Sequence, residues 1–186
     1  DLLIGTWQDG LYRYHIKENK FTHYPPLSEN NSVLSLFQDS RGVLWVGTSG
    51  YGLYKVNFSS DKQTLSIEKN YRYDPLNISS IPSDYIYSIH EDLQTHSLWL
   101  GSRDGIGIMN MANEGTFINY KESNPEHYLP VREVNTVFRD KNGLMWIGTK
   151  GTGVFHADTH AHSFDVLYPR GNGKFFTDLI STLYIE

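Results

Sequence analysis

The chain has 186 residues, of which 14% are aromatic, and a formal net charge of -5 at pH 7. This length is enough to bury a sizeable core, whereas the acidic balance and the lack of a basic run argue against a nucleic-acid partner. The sequence has no cysteine, which excludes disulfides and thiolate metal sites. It also has no apolar run of about 18 residues and no visible signal peptide, so we expect no membrane insertion of this stretch.

The first part of the chain predicts β structure. Apolar and aromatic runs at residues 2–6, 11–15 and 20–24 indicate three strands, and Pro25-Pro26 then breaks the ladder. A strongly apolar strand follows at residues 33–38 and ends in the polar turn at 39–42. Because the chain opens in the middle of such a unit, we expect it to be a fragment of a longer array.

A short motif repeats after this turn. It consists of an apolar residue, Trp, a second apolar residue, Gly, and Thr or Ser, with another Gly a few positions later. The three copies contain Trp45 and Gly47, Trp99 and Gly101, and Trp146 and Gly148. With a weaker copy around Gly5, the first glycines are 42, 54 and 47 residues apart. Steps of about 40 to 50 residues with four strands each are typical of β-propeller blades.

Each unit predicts four strands, A to D, of which B carries the Trp motif. We expect A at 33–38, 86–90 and 134–138, C from Gly52, Gly105 and Gly153, and D at 67–73, 116–120 and 163–168. A last A strand is expected at 180–185. The fold class predicted is therefore all-β, a propeller of four-stranded antiparallel blades with about four blades' worth of strands, one blade being split between the termini. The expected blade ranges are 1–32, 33–79, 80–130, 131–175 and 176–186.

The units resemble the two-component regulator propeller repeat. The resemblance rests on 86–92 followed by 98–102, on 74–81, and on 134–140. It implies the periplasmic sensor region of a hybrid two-component system histidine kinase. A non-catalytic ectodomain fragment of this kind would recognise a glycan-derived ligand and signal to the kinase across the inner membrane.

The predicted topology indicates where a ligand would bind. The B–C turns and D–A connections fall at one end of an up-and-down blade, where aromatic rings suit sugar faces and charged groups suit hydroxyls or carboxylates. The D–A connections are 74–84, 122–132 and 170–174. The candidate ligand residues at this end are Trp7, Gln8, Asp9, Tyr51, Arg103, Asp104, Arg132 and Lys150. Each alone is also typical of an ordinary polar turn.

The repeated tryptophans and glycines predict a structural role instead. We expect Trp45, Trp99 and Trp146 to be buried between blades and Trp7 to be exposed. The glycine between Trp and Thr or Ser indicates close backbone approach, and the later glycine fits a turn with positive φ.

Other polar groups give weaker signals. His156, Asp158, His160 and His162 are expected in a C–D connection, where their spacing does not select a metal, so no metal or cofactor is predicted. Acidic residues follow each A strand, where a hairpin needs an Asx-type turn residue, which argues against a catalytic pair. They are Asp39, Glu91, Asp92 and Asp140. The loop at 170–174 lacks the spacing of a phosphate-binding loop.

Three hypotheses therefore remain open. The first is the ligand sensor, the second is an enzyme such as a lyase or hydrolase on the same scaffold, and the third is a structural or dimerisation part of a sensor. The sequence supplies no repeated His or Glu in the B–C turns, which disfavours the enzyme. Exposed edge strands at 2–6 and 180–185 predict either self-closure or a dimer that completes a larger ring.

Overall fold

The computed structural model describes residues 1–27, 32–158 and 163–167, and strands in this part of the chain form four antiparallel sheets. The first sheet contains β1 (Leu2–Gly5), β2 (Leu11–His15) and β3 (Lys20–His23). The second contains β4 (Val33–Gln38), β5 (Leu44–Thr48), β6 (Leu53–Phe58) and β7 (Leu65–Tyr71). The third contains β8 (Ile86–Asp92), β9 (Ser97–Ser102), β10 (Gly105–Asn110) and β11 (Phe117–Tyr120). The fourth contains β12 (Glu133–Arg139), β13 (Met145–Lys150), β14 (Val154–Asp158) and β15 (Ser163–Leu167).

Every sheet is a meander in which sequence neighbours pair, so the all-β, propeller-like prediction is confirmed. The first sheet has three strands, as expected for a blade that lacks its A strand. The strand expected at 180–185 and the loop at 170–174 lie outside the described residues. The division of the chain into blades or domains stays a prediction.

Three apolar clusters join consecutive sheets and form the core. The cluster between the first and second sheets contains Leu11, Tyr24, Leu27, Val33, Leu44, Val46, Tyr54 and Val56. The cluster between the second and third sheets contains Trp45, Leu53, Tyr71, Ile81, Ile86, Ile89, Leu98, Leu100, Met109, Met111 and Phe117. The cluster between the third and fourth sheets contains Trp99, Ile106, Tyr120, Leu129, Val131, Val134, Val137, Met145, Ile147, Phe155 and Ala157. Each inner sheet therefore buries apolar side chains on both faces.

The motif glycines allow neighbouring sheets to approach closely. A Cβ atom at Gly47 would lie 2.7 Å from the Ile86 carbonyl oxygen, and one at Gly101 would lie 2.9 Å from that of Val134. Gly47 pairs with Ser35 at a bulge in β4, where the Ser35 hydroxyl donates to the Ile86 carbonyl at 3.0 Å. Close backbone approach was the role predicted for these glycines, and the geometry confirms it.

The tryptophans differ in burial according to what packs beyond them. Trp45 is 0% and Trp99 is 4% exposed, as predicted, and Trp7 is 65% exposed. The expectation of burial was wrong for Trp146, which is only half-buried. Trp45 and Trp99 belong to the clusters that join a sheet to the next one, whereas no fifth sheet covers Trp146 among the described residues.

Candidate ligand-binding end

Four turns share one construction: the turn between β1 and β2 of the first sheet, and the turns between the second and third strands of the other three sheets. Their glycines have positive φ, at 77° for Gly10, 77° for Gly52, 84° for Gly105 and 80° for Gly153, as predicted. A hydroxyl closes each turn on the glycine carbonyl; in the second sheet, for example, Thr48 Oγ1 donates to Gly52 at 2.8 Å. The same bond recurs from Thr6 to Gly10, Ser102 to Gly105 and Thr149 to Gly153. We call the end of the sheets that carries these four turns the Gly-turn end.

Main-chain hydrogen bonds link the sheets along the Gly-turn end. Both Gly50 N and Gly52 N donate to the Asp84 carbonyl, at 3.0 and 2.9 Å, and Arg103 N donates to the Tyr85 carbonyl at 3.1 Å. Each chain segment that enters a new sheet is thus fixed to a turn of the sheet before it or of its own sheet. The side chains at this end are therefore held by a continuous main-chain frame rather than by isolated loops.

The eight predicted ligand residues all lie on or beside these turns. Six are exposed: Trp7, Gln8, Asp9, Arg103, Arg132 and Lys150. Tyr51 and Asp104 are half-buried. The structure does not test whether any of them binds a ligand, so their role stays a prediction.

Partners that the sequence reasoning missed hold several of these side chains. The Arg72 guanidinium lies 5.3 Å from the Tyr51 ring centre and forms an ion pair with Asp84 at 2.8 Å. The Arg103 guanidinium lies 5.0 Å from the centre of the Tyr85 ring. Two cation–aromatic pairs therefore stand on neighbouring sheets at the Gly-turn end. The signal that could have found Tyr85 is its place immediately before an innermost strand.

Tyr87 is a further residue of this end that the sequence did not single out. It sits at the bulge between Ile86 and Ser88, where β8 shifts register against β9. Burial, together with the nearby Glu133 carboxylate, raises the pKa of the Tyr87 phenol. A tyrosine hydroxyl is protonated at neutral pH even without this shift, and the shift reinforces that state, so Tyr87 can donate a hydrogen bond.

The connections between sheets add a groove on the outer side of the same end. Residues 73–80 and 121–127 and the outermost strand β11 enclose a volume of about 470 Å³. Tyr73, Asp74, Asn124 and His127 are among its lining residues. Lys121 connects the groove to the turn of the third sheet, because its Nζ lies 5.7 Å from the Tyr73 ring centre and 3.2 Å from Asp104 Oδ2.

At the opposite end, which we call the Asp-turn end, the acidic residues make structural contacts. The Asp39 and Asp140 carboxylates accept backbone bonds within their turns and also bind Trp45 Nε1 at 3.0 Å and Trp146 Nε1 at 2.9 Å. Asp92 accepts from Gln94 N and pairs with Arg139 at 2.9 Å. These contacts confirm the predicted turn role of the three aspartates.

Glu91 departs from this prediction. Its carboxylate reaches the neighbouring sheet and accepts from Ser40 N and Ser40 Oγ, both at 2.7 Å. Glu91 lies one residue before the end of β8, and its side chain has one more methylene than that of aspartate, so it spans the gap between sheets instead of closing its own turn. Glu91 therefore links two sheets.

The histidine cluster is only partly described. The expectation that His156 and Asp158 lie in a connection was wrong, because both are inside β14. His156 pairs with Trp146, and the centres of their rings are 5.6 Å apart. His160 and His162 lie outside the described residues. Among residues 1–27, 32–158 and 163–167, no group of three potential metal ligands comes together.

Comparison with known proteins agrees with the repeat pattern. The sequence profile of the two component regulator propeller family matches residues 27–50 and 128–151, so the resemblance is confirmed for these two repeats. A search of curated protein sequences found no significant match. In the described part of the chain, no helix has the length and apolarity to cross a membrane.

Several solved structures share the fold. One is the extracellular domain of the putative one-component system BT4673 from B. thetaiotaomicron, with a TM-score of 0.73 and 16% identity over 99% of this chain and 23% of that one. Another is the extracellular domain of the putative hybrid two-component system BT3049 from B. thetaiotaomicron, with a TM-score of 0.68 and 20% identity. This match covers 92% of the present chain and 25% of the other. The streptogramin B lyase structure matches with a TM-score of 0.59 and 14% identity, and the match covers 85% of the present chain and 47% of the lyase chain. The chain thus spans about a quarter of the length of the two extracellular domains, and these identities establish the fold alone.

Proposed function

We propose that the chain is a non-catalytic part of the ectodomain of a hybrid two-component sensor. In this proposal it recognises a glycan-derived ligand at the Gly-turn end and passes the signal to a histidine kinase elsewhere in the protein. The matched repeats and the sensor domains of the same fold support the coarse assignment. A periplasmic location, with the parent protein in the inner membrane, belongs to the same proposal.

The observation that carries the ligand proposal is the pair of cation–aromatic contacts at the Gly-turn end. The rings of Tyr51 and Tyr85 are half-buried and lie next to charged donors, so they offer apolar faces bordered by hydrogen-bonding groups. A sugar ring has an apolar face and a rim of hydroxyls, which this combination complements. At the Asp-turn end, by contrast, Asp39, Asp140 and Glu91 are engaged within and between sheets.

A thermal-shift screen of the chain against a panel of oligosaccharides tests this function. A ligand at 100 times its dissociation constant adds about 2.7 kcal/mol to the free energy of unfolding, which is readily measured. We expect one glycan class to raise the melting temperature, and Tyr51→Ala and Arg103→Ala to reduce the shift. Lys141→Ala, which removes an exposed cation beyond Asp140 at the opposite end, is the matched control and should leave the shift unchanged.

An enzymatic function is the second candidate, because the streptogramin B lyase structure shares the fold. It predicts that a binding glycan is consumed during incubation with the chain. Chromatography of the ligand before and after incubation distinguishes the two: intact ligand supports sensing, and turnover that depends on the Gly-turn end contradicts the non-catalytic proposal.

A further inference from the structure

The cations of the third and fourth sheets at the Gly-turn end are not equally neutralised. Lys121 lies 3.2 Å from Asp104 Oδ2, and Lys150 lies 3.1 Å from Glu133 Oε2. The two acidic residues next to the turn of the third sheet are therefore already paired with lysines. Arg103, within the described residues, forms no ion pair at all.

Arg132 is the second arginine at this turn. Its carbonyl accepts from Gly105 N at 2.6 Å, which places its backbone beside the turn that carries Arg103. Its guanidinium meets Glu122 only at 4.0 Å, and both side chains are largely exposed, at 83% and 62%. A contact of this kind contributes little energy in water. Arg103 on the turn and Arg132 beside it thus both lack a firm acidic partner.

Arg103 is nevertheless held in place. Its main-chain N–H binds the Tyr85 carbonyl at 3.1 Å, and its guanidinium lies over the ring of the same tyrosine. Tyr85 itself packs across the turn of the second sheet, where a Cβ at Gly50 would lie 3.4 Å from its hydroxyl. Stacking on an aromatic ring leaves the edge of a guanidinium free, and that edge carries the N–H groups that bind an oxyanion in pairs.

From this geometry we infer that the ligand of the Gly-turn end carries an anionic group, a carboxylate or a sulfate, which Arg103 binds with Arg132 beside it. The inference rests on the proposed function, because it names the chemical class of ligand for the same site. Tyr85 and Tyr87 would contact the sugar that bears the anion. Asp104 and Glu133 do not compete, since Lys121 and Lys150 already bind them, and Glu122 meets Arg132 only at 4.0 Å on an exposed surface.

Titration calorimetry with matched oligosaccharides tests the inference on the chain. The probes are oligogalacturonides, chondroitin disaccharides with and without sulfate, and the carboxyl-reduced, unsulfated form of each. We expect an anionic probe to bind at least about 10-fold more tightly than its neutral counterpart, since a charge-assisted hydrogen bond contributes on that scale. The carboxylate and sulfate probes distinguish the two sources of negative charge.

Variants locate the effect. Arg103→Gln should weaken the anionic probe about 10- to 100-fold, and Arg103→Lys should restore only part of the affinity because it lacks the planar pair of donors. Lys141→Gln, which removes an exposed cation at the Asp-turn end, is the control and should leave the affinity unchanged. Circular dichroism of each variant establishes that the fold is retained.

The possible outcomes separate the two proposals. Equal binding of neutral and anionic probes, reduced by Tyr51→Ala but not by Arg103→Gln, would overturn the anionic ligand and leave the sensor function standing. Binding of an anionic probe that Arg103→Gln does not affect would also overturn the assignment. If no anionic probe binds while a neutral glycan of the thermal-shift panel does, the anionic ligand is overturned and the sensor function stands. If neither these probes nor any glycan of the panel binds, ligand recognition by this chain is itself contradicted.

Discussion

Single glycines set the distance between sheets in this molecule. The space beside Gly47 is filled by Ser35 Oγ, the Ile86 carbonyl oxygen and Ile86 Cγ2, which would lie 2.1, 2.7 and 2.8 Å from an added Cβ. The hydroxyl of a serine side chain can rotate away, but a main-chain carbonyl in a paired strand cannot. The motif glycine is therefore required by the next sheet rather than by its own backbone conformation.

The substitution Gly47→Ala should consequently destabilise the chain. Alanine in a strand would by itself restrict the unfolded chain and stabilise by under about 1 kcal/mol, but overpacking against a fixed carbonyl costs about 1–3 kcal/mol and outweighs it. Urea unfolding followed by tryptophan fluorescence measures the difference. The double variant Ser35→Ala with Gly47→Ala should not recover stability, because the Ile86 contact remains; full recovery would show that Ser35 alone sets the limit.

At the scale of elements, the turns at the Asp-turn end hold the motif tryptophan in two ways. In the second and fourth sheets the Asp39 and Asp140 carboxylates bind the motif tryptophan directly, and Gly42 and Gly143 take positive φ. In the third sheet the turn between β8 and β9 spans residues 93–96, His96 takes φ 50°, and Trp99 Nε1 instead donates to Ser97 Oγ at 3.0 Å. The serine hydroxyl therefore takes the place of the carboxylate that accepts from the motif tryptophan in the other two sheets.

A second element-scale feature is an ionic network between the second and third sheets. Glu114, in the connection before β11, accepts from Arg41 at 3.0 Å and from Lys55 at 2.9 Å. Burial favours the neutral acid and raises the pKa of Glu114, but the hydrogen bonds from Lys55 and Arg41 outweigh burial and lower the pKa below its ordinary 4.5. Lys55 is nine-tenths buried and also pairs with Glu68 at 2.7 Å.

This network predicts a pH dependence of stability. Because the pKa of Glu114 is lowered on folding, its contribution is present above about pH 4.5 and is lost as the pH falls through the lowered value. Glu114→Gln should therefore cost about 1–3 kcal/mol at pH 7, and the difference from the unmodified chain should shrink in acid. Urea unfolding at several pH values measures both effects. Glu18→Gln, at an exposed site, is the control; a Glu114 effect that stays constant with pH would contradict the electrostatic origin.

For the whole molecule, local patterns predicted most of the fold. The Trp-x-Gly motif, the turn glycines and the Asx-turn aspartates act within a few residues, so they could be inferred from sequence spacing. Contacts between distant segments could not be inferred in this way. The half-burial of Trp146 depends on whether a neighbouring sheet covers it. Tyr85 and Arg103 meet because a main-chain hydrogen bond joins the segment before β8 to the turn after β9. The ligand end was predicted as a surface, but which cation is free of an acidic partner depends on these long-range contacts.

The open edge of the first sheet leads to the last prediction. In the described part of the chain β1 pairs only with β2, and Leu2 is 53% exposed. An unpaired strand edge presents main-chain donors and acceptors that another strand can bind. We expect this edge to be covered, either by the segment 180–185 of the same chain or by a second copy.

Light scattering after size exclusion, combined with hydrogen exchange, distinguishes these arrangements. Closure gives a monomer whose β1 amides exchange slowly, and deletion of residues 180–185 should then speed their exchange and promote association. A dimer gives doubled mass with β1 protected, and its protection should fall on dilution. A monodisperse monomer with fast-exchanging β1 amides would contradict both, because the edge would then be stable without a partner.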